Sequence, residues 1–251
     1  MIIIKDKDAQ KKMMTAGRLL NLVFLELGER VVPGVTTFEL DSLIDKGLAE
    51  KNLVSQSKGY RGYRYASCIS LNDEVVHGVP HVDRVLREGD LVKIDICASW
   101  TGYCADKTQC FFAGRAPNES AKKLVDAALE ALDNGIACAI VGNYLGDVSA
   151  VIQQTVEKRG FGVIRDFAGN GIGKSMHEEP EILNYGRAGT GVVLKSGMAL
   201  AIEPMITQGH YDVYVASDGW TAKTVDGSLA AHVEDTVIVT EHGPNTITRL
   251  L

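Results

Sequence analysis

Apolar residues recur at three- and four-residue spacing over residues 6–31, where Leu19, Leu20, Val23, Phe24 and Leu27 share one side. That period predicts a long helix, which Val32-Pro33-Gly34 breaks. Thr36 followed by Glu39 reads as a capping box, so a second helix is expected to about Lys51. Residues 53–66 lose the pattern and are rich in Gly and Tyr, as a loop would be. The period then changes to two. Strands are predicted at 67–71, 91–99 and 103–112, the last pair joined by a turn at Trp100-Thr101-Gly102.

The same order returns further on. Residues 118–139 place Ala121, Leu124, Ala128 and Leu132 on one helical face. Val141-Gly142-Asn143 interrupts, and another helix runs from about 145 to 159. A Gly-rich segment follows, then strands near 192–195, 198–206, 212–217, 219–223 and 229–240. Aligning Gly34 with Gly142 sets Glu39 over Asp147, Leu43 over Val151, Ile44 over Ile152 and Lys51 over Arg159. The identity is too low to prove a duplication. The shared order still predicts two similar helix-helix-strand halves within one domain spanning 1–251. Helices and strands grouped in this way argue for an α+β fold, not a doubly wound parallel sheet.

Composition narrows the function. The chain is 45% hydrophobic and 23% charged, with a formal net charge of −6. An acidic balance argues against nucleic-acid or anionic-membrane binding. No apolar run reaches the roughly 18 residues that span a bilayer. The opening MIIIKDKDAQKK lacks the apolar core of a secretory signal. Cys68, Cys97, Cys104, Cys110 and Cys138 are odd in number and contain no C-x2-C pair. Free, small, buried thiols in a reducing cytoplasm are therefore expected instead of structural zinc, and with them a cytoplasmic location.

Four acids stand where apolar strands should be uninterrupted. In LVKIDICA, alternation puts Val92, Ile94 and Ile96 on one face and Lys93, Asp95 and Cys97 on the other. Taken alone, Asp95 reads as a solvent-facing strand acid. Asp106 lies beyond a hairpin turn that can bring it beside Asp95, where two like charges would repel unless a cation neutralised them. Glu203 ends GMALAIEP and Glu234 sits in SLAAHVEDTVIV. Four such interruptions favour a carboxylate-rich site for divalent ions, with Mn, Fe, Co or Mg ahead of thiolate-bound zinc. The segment AGNGIGKSMHEEP holds three glycines that suit tight turns and close approach to a ligand, but it does not end as a phosphate loop does. His177 follows those glycines, and His77 stands beside a glycine in NDEVVHGVP. Two histidines near a carboxylate metal site fit metal-assisted hydrolysis.

Seven stretches carry a resemblance along nearly the whole chain: NDEVVHGVP (72–80), KIDI (93–96), GYCAD (102–106), GNGIGKSMHEEP (169–180), AIEPM (201–205), DGWTAKT (218–224) and AAHVEDTVIVT (230–240). In order and spacing they resemble the type I methionine aminopeptidases. The resemblance implies the pita-bread fold, with two similar halves around a central antiparallel sheet. It implies removal of the initiator methionine from nascent chains, with possible ribosome proximity, by a monomer holding two divalent ions, Mn, Fe or Co. By the same resemblance Asp95, Asp106, Asn170, Glu203 and Glu234 would be metal ligands, with Asp106 and Glu234 bridging. Glu203 would also be the general base. His177 would meet the developing oxyanion and His77 the nitrogen side of the scissile bond. Tyr60, Tyr63, Cys68, Met176 and Trp220 would line the methionine pocket with these histidines.

Three positions depart from the family pattern. Met176 stands where an aromatic is common, which a flexible thioether can absorb. Lys107 stands where a small residue is usual, and alternation turns it to the opposite face from Asp106. Asn170 occupies the place of the motif's histidine, the only nitrogen ligand of the family's centre. A carboxamide is a poorer donor to Mn, Fe or Co, so a weakened metal site is expected. A natural variant of altered activity, a deliberate ligand replacement and deamidation at Asn170-Gly171 are the three origins open to it. Two further readings stand beside the first. One is a protein of this fold that binds N-terminal segments without cleaving them. The other is a prolidase-type enzyme, whose usual extra N-terminal domain the sequence does not show.

Overall fold

The computed structural model describes residues 1–249. α1 (Lys7–Leu27) begins at Asp6, whose side chain accepts the Ala9 N–H. It ends short of residue 31 because residues 28–30 are exposed and offer no apolar face to bury. α2 (Thr37–Glu50) carries both halves of the expected capping box: the Glu39 N–H donates to Thr36 Oγ1, and the Thr36 N–H donates to Glu39 Oε2. α3 (Glu119–Cys138) is capped by Asn118. At the start of α4 (Leu145–Lys158), the Tyr144 N–H donates to Asp147 Oδ2.

The backbone reproduces the alignment of the two halves. Gly34 and Gly142 have φ of 93° and 92°, a conformation that costs glycine nothing. Their N–H groups donate to Leu86 O and Leu194 O, and a 14-residue helix follows each. The same offset carries Asp95 onto Glu203. The halves therefore match in their break, their second helix and one acid each.

The main sheet is antiparallel throughout its nine strands. Leu91–Trp100 and Tyr103–Phe112 form a hairpin closed by Thr101 and Gly102, both left-handed, the turn that follows strand twist. Glu234–Thr240 pairs with Tyr103–Phe112 on one side and Ala199–Ile202 on the other. Ala168–Gly171 and Glu178–Leu183 extend the sheet beyond Ala199–Ile202. Leu20, Phe24, Leu40 and Ile44 of the first helix pair share a core with Ile94 and Ile96. Leu124, Leu132, Val148 and Ile152 share a second with Leu200, Ile202 and Val237.

The expected strands at 198–206 and 229–240 are each split. Pro204 has no N–H for a ladder, and its carbonyl accepts the Val233 N–H at the break. Beyond that point Met205–Thr207 and Ala230–His232 leave the main sheet for a small three-stranded one. The Gly-rich segment, where no strand was expected, contains the Ala168–Gly171 strand. Its pairing is held by backbone alone, so no side-chain alternation announced it.

Candidate metal centre and adjoining pocket

Strand register assembles the acids. Asp95 and Glu234 both pair with Thr108, so the three residues form a row across three strands. Asp106 pairs with Cys97, which places it diagonally from Asp95 instead of directly opposite. Period two keeps Asp106 on the face of Thr108. Ligand atoms of Asp95, Asp106 and Glu234 lie within 4.8 Å of one another. Those of Glu203, His232 and Glu234 form a second group of the same size, so Glu234 belongs to both.

These groups are poorly neutralised by the protein. Among the described residues no lysine or arginine pairs with Asp95, Asp106, Glu203 or Glu234. Glu234 accepts one side-chain hydrogen bond, from Thr108 Oγ1 at 3.0 Å. Among the described residues, buried Asp106 Oδ1 and His232 Nε2 have no hydrogen-bond partner. Burial raises the proton affinity of all four acids. Asp106 adds to that effect at Asp95 and Glu234, and Glu203 adds to it at Asp106. Such a set is unstable as bare charge and fits divalent cations, which would satisfy the orphaned atoms and offset the repulsion.

Two cavities meet here. One, of about 360 Å³, is lined by His77, Asp95, Asp106, Asn170, His177, Glu203 and Glu234, among others. The other, of about 440 Å³, holds Tyr60, Tyr63, Cys68, Met176 and Trp220. His77, Asp95, Asp106, Phe167 and His177 belong to both walls. The structure thus brings every residue singled out from the sequence to one of two adjoining spaces. The aromatic wall is tied down from behind. Tyr63 donates its hydroxyl to Ser67 O and meets Trp220 edge-on at 5.0 Å. Buried Asp41 of α2 accepts from the Ala66 N–H, the Ser67 N–H and Ser67 Oγ.

His77 sits at φ 59° and meets Phe167 edge-on at 5.5 Å. Burial, reinforced by His232 and His177, pushes its pKa down to about 4. Burial also lowers His232 to about 4, with Lys93 adding to the shift. His177 stands at the mouth against Tyr60, and desolvation with nearby Arg61 lowers its pKa. All three are therefore neutral imidazoles near pH 7.

The glycines around Asn170 serve close approach of strands, and Gly169 also lines the cavity at the acids. A Cβ at Gly169 would stand 2.4 Å from Ala201 O, and one at Gly171 would stand 2.1 Å from Glu179 O. Asn170 itself donates its amide protons to Gly171 O and Met176 O, both at 2.9 Å. Lys107 does turn away from the acids, as alternation required, and pairs with Asp235 at 3.0 Å. His232, Thr108 and Phe167 were missed. Period two contained the signal for His232, which precedes Glu234 by two residues; no local pattern marks the other two.

The model of metallopeptidase family M24 matches residues 11–241, and the chain belongs to that family. Within it the similarity is to methionine aminopeptidases. That of Clostridium acetobutylicum is 44% identical over 248 residues, covering 99% of each chain. The crystal structure of the Thermotoga maritima methionine aminopeptidase aligns at a TM-score of 0.97 with 44% identity over 100% of both chains. That from Rickettsia prowazekii gives 0.97 with 37% identity over 99% of this chain and 100% of that one. The expected pita-bread α+β fold is the one observed.

Proposed function

We propose that this chain is a metal-dependent aminopeptidase that removes the initiator methionine from nascent proteins. The observation that carries this is the shared wall: a cavity lined by Tyr63, Cys68, Met176 and Trp220 adjoins four acids that lack lysine or arginine partners among the described residues. An unbranched thioether suits such a space, since sulfur packs well against aromatic edges.

Asp95, Asp106, Asn170, Glu203 and Glu234 would hold two divalent ions, Mn, Fe or Co being favoured for this donor set. Bound ions would supply Lewis-acid polarisation of the scissile carbonyl and a water acidic enough to attack near pH 7. Glu203 takes the proton of the attacking water and passes it to the departing amine. His177, a neutral imidazole at the cavity mouth, donates an N–H to the carbonyl oxygen as its charge develops. His77, held between Phe167 and the acids, contacts the nitrogen side of the bond. Tyr60 orients His177 by its edge-on contact and closes the outer side of the side-chain pocket. The substrate is the methionyl N-terminus of a newly made chain. A small second residue fits best because His77 and His177 crowd the exit.

Release of methionine from a Met-Ala-Ser peptide tests this. Turnover is expected with added manganese or cobalt and is lost in Glu203→Ala. No turnover with either metal would overturn the proposal. Peptide binding that persists in chelator without hydrolysis would instead support a binding role.

A further inference from the structure

We propose that His232 supplies an imidazole nitrogen to the metal centre, on the ion shared by Glu203 and Glu234. The inference rests on the reading of this site as a divalent-metal centre and adds a ligand to it. His232 and Glu234 flank Val233, whose side chain enters the second core, and their own side chains come together on the other side. The pairing of Met205 with His232 brings Glu203 alongside from the neighbouring strand. Nε2 of His232 and one carboxylate oxygen each of Glu203 and Glu234 then lie within 4.8 Å of one another.

The detailed contact favours a ligand over a structural histidine. His232 is 2% exposed, and its Nε2 is buried with no hydrogen-bond partner. Glu203 Oε2 is only 3.2 Å away, yet the two make no hydrogen bond. A histidine placed to orient Glu203 would aim its N–H at that oxygen. Two donors that converge on one ion, each about 2.1 Å from it at about a right angle, stand about 3 Å apart without bonding each other. The observed pair has that spacing and that lack of a bond. A buried nitrogen left without either partner would carry an uncompensated desolvation cost.

The assignment also separates two roles. Asn170 spends both amide protons on the backbone carbonyls of Gly171 and Met176, fixing the turn that carries Met176 and His177. Its lone pairs remain a weak hard donor. The nitrogen that favours Mn, Fe or Co over Mg comes instead from His232, at the kink beyond Glu203. The weakening expected from Asn170 alone is thereby offset.

Electron spin-echo modulation of the protein loaded with manganese(II) alone tests the assignment, and needs no turnover. A 14N coupling of an imidazole ligand is expected in the unaltered chain and in Asn170→Ala. It should disappear in His232→Gln, with metal affinity lower by at least about tenfold, the size typical of losing a group that merely supports a ligand. Should His232→Gln fail to fold, the His77→Ala/His177→Ala double variant decides: the coupling must survive there. Bound manganese without nitrogen coupling, or coupling that persists in folded His232→Gln, overturns the inference while leaving methionine release untouched. Failure to bind manganese at all overturns both the inference and the metal-centre reading beneath it.

Discussion

Glu234 and Asp235 are adjacent, both buried, on opposite faces of one strand, and the protein treats them in opposite ways. Asp235 accepts from Lys107 at 3.0 Å, from Thr248 Oγ1 at 2.7 Å and from Arg249 Nε at 2.6 Å. Among the described residues Glu234 has one side-chain donor, the hydroxyl of Thr108, and three other acids close by. One carboxylate is neutralised by side chains of the chain itself. The other is left for something the chain does not contain. Burial alone therefore does not distinguish a structural acid from a ligand; the count of cationic partners does.

The contrast is tested most strongly at Glu234. Glu234→Gln is expected to lower kcat/KM for Met-Ala-Ser by about 10³-fold, the scale for losing a group that holds reacting charge in place. At alkaline pH, where the acids give up their protons, the same change should raise the thermal midpoint of the metal-free protein, because it removes one of the repelling charges. A lower midpoint would mean that Glu234 is structurally paired after all. Asp235→Asn should do the reverse. It leaves Lys107 and Arg249 without their shared partner and is expected to cost about 3 kcal/mol in denaturant melts, while titration calorimetry shows metal affinity little changed.

The pH response of the metal-free protein comes next. The native acids hold protons that the unfolded chain releases near pH 4, since burial raises Asp106 to about 7 and Glu203 to about 8. Their contribution to stability is present at low pH and is lost as pH rises through 7 and 8. The midpoint measured by calorimetry should therefore fall by several degrees between pH 5 and 9. Added metal should restore it most at the alkaline end, because the ligands must be deprotonated to bind. A midpoint that rises over that range would contradict the picture. Thr108→Val is expected to have a smaller effect, weakening manganese binding by about tenfold in a competition assay with a fluorescent chelator. Smallest of all is the joint change Lys107→Leu with Asp235→Leu. Exchanging a paired buried charge for apolar contact should move stability by about 1 kcal/mol or less once Arg249 turns to solvent.

Much of this was readable along the chain. The capping box at Thr36, the hairpin turn at Thr101-Gly102 and the helix breaks at Gly34 and Gly142 each depend on residues close in sequence, and the structure reproduces each. The four acids were visible because each breaks an apolar period. The diagonal offset of Asp95 from Asp106 was not visible, since it depends on a register that the turn sets one residue at a time. The Ala168–Gly171 strand was also missed: residues with little or no side chain leave no pattern, and its place is fixed by the carbonyls of Ala201 and Glu179 pressing against Gly169 and Gly171.

The helices, their caps, the hairpin and the identity of the acids follow from spacing within a few residues, and the repeat follows from the same local order occurring twice. Which acids are paired and which are bare depends on contacts between distant parts of the chain. Lys107 reaches Asp235 across 128 residues of chain, and Thr108 reaches Glu234 across 126. Neighbours at such separations are chosen by strand register and by the kink at Pro204, not by local preference. That kink also sets His232 beside Glu203, where a buried histidine becomes a candidate ligand.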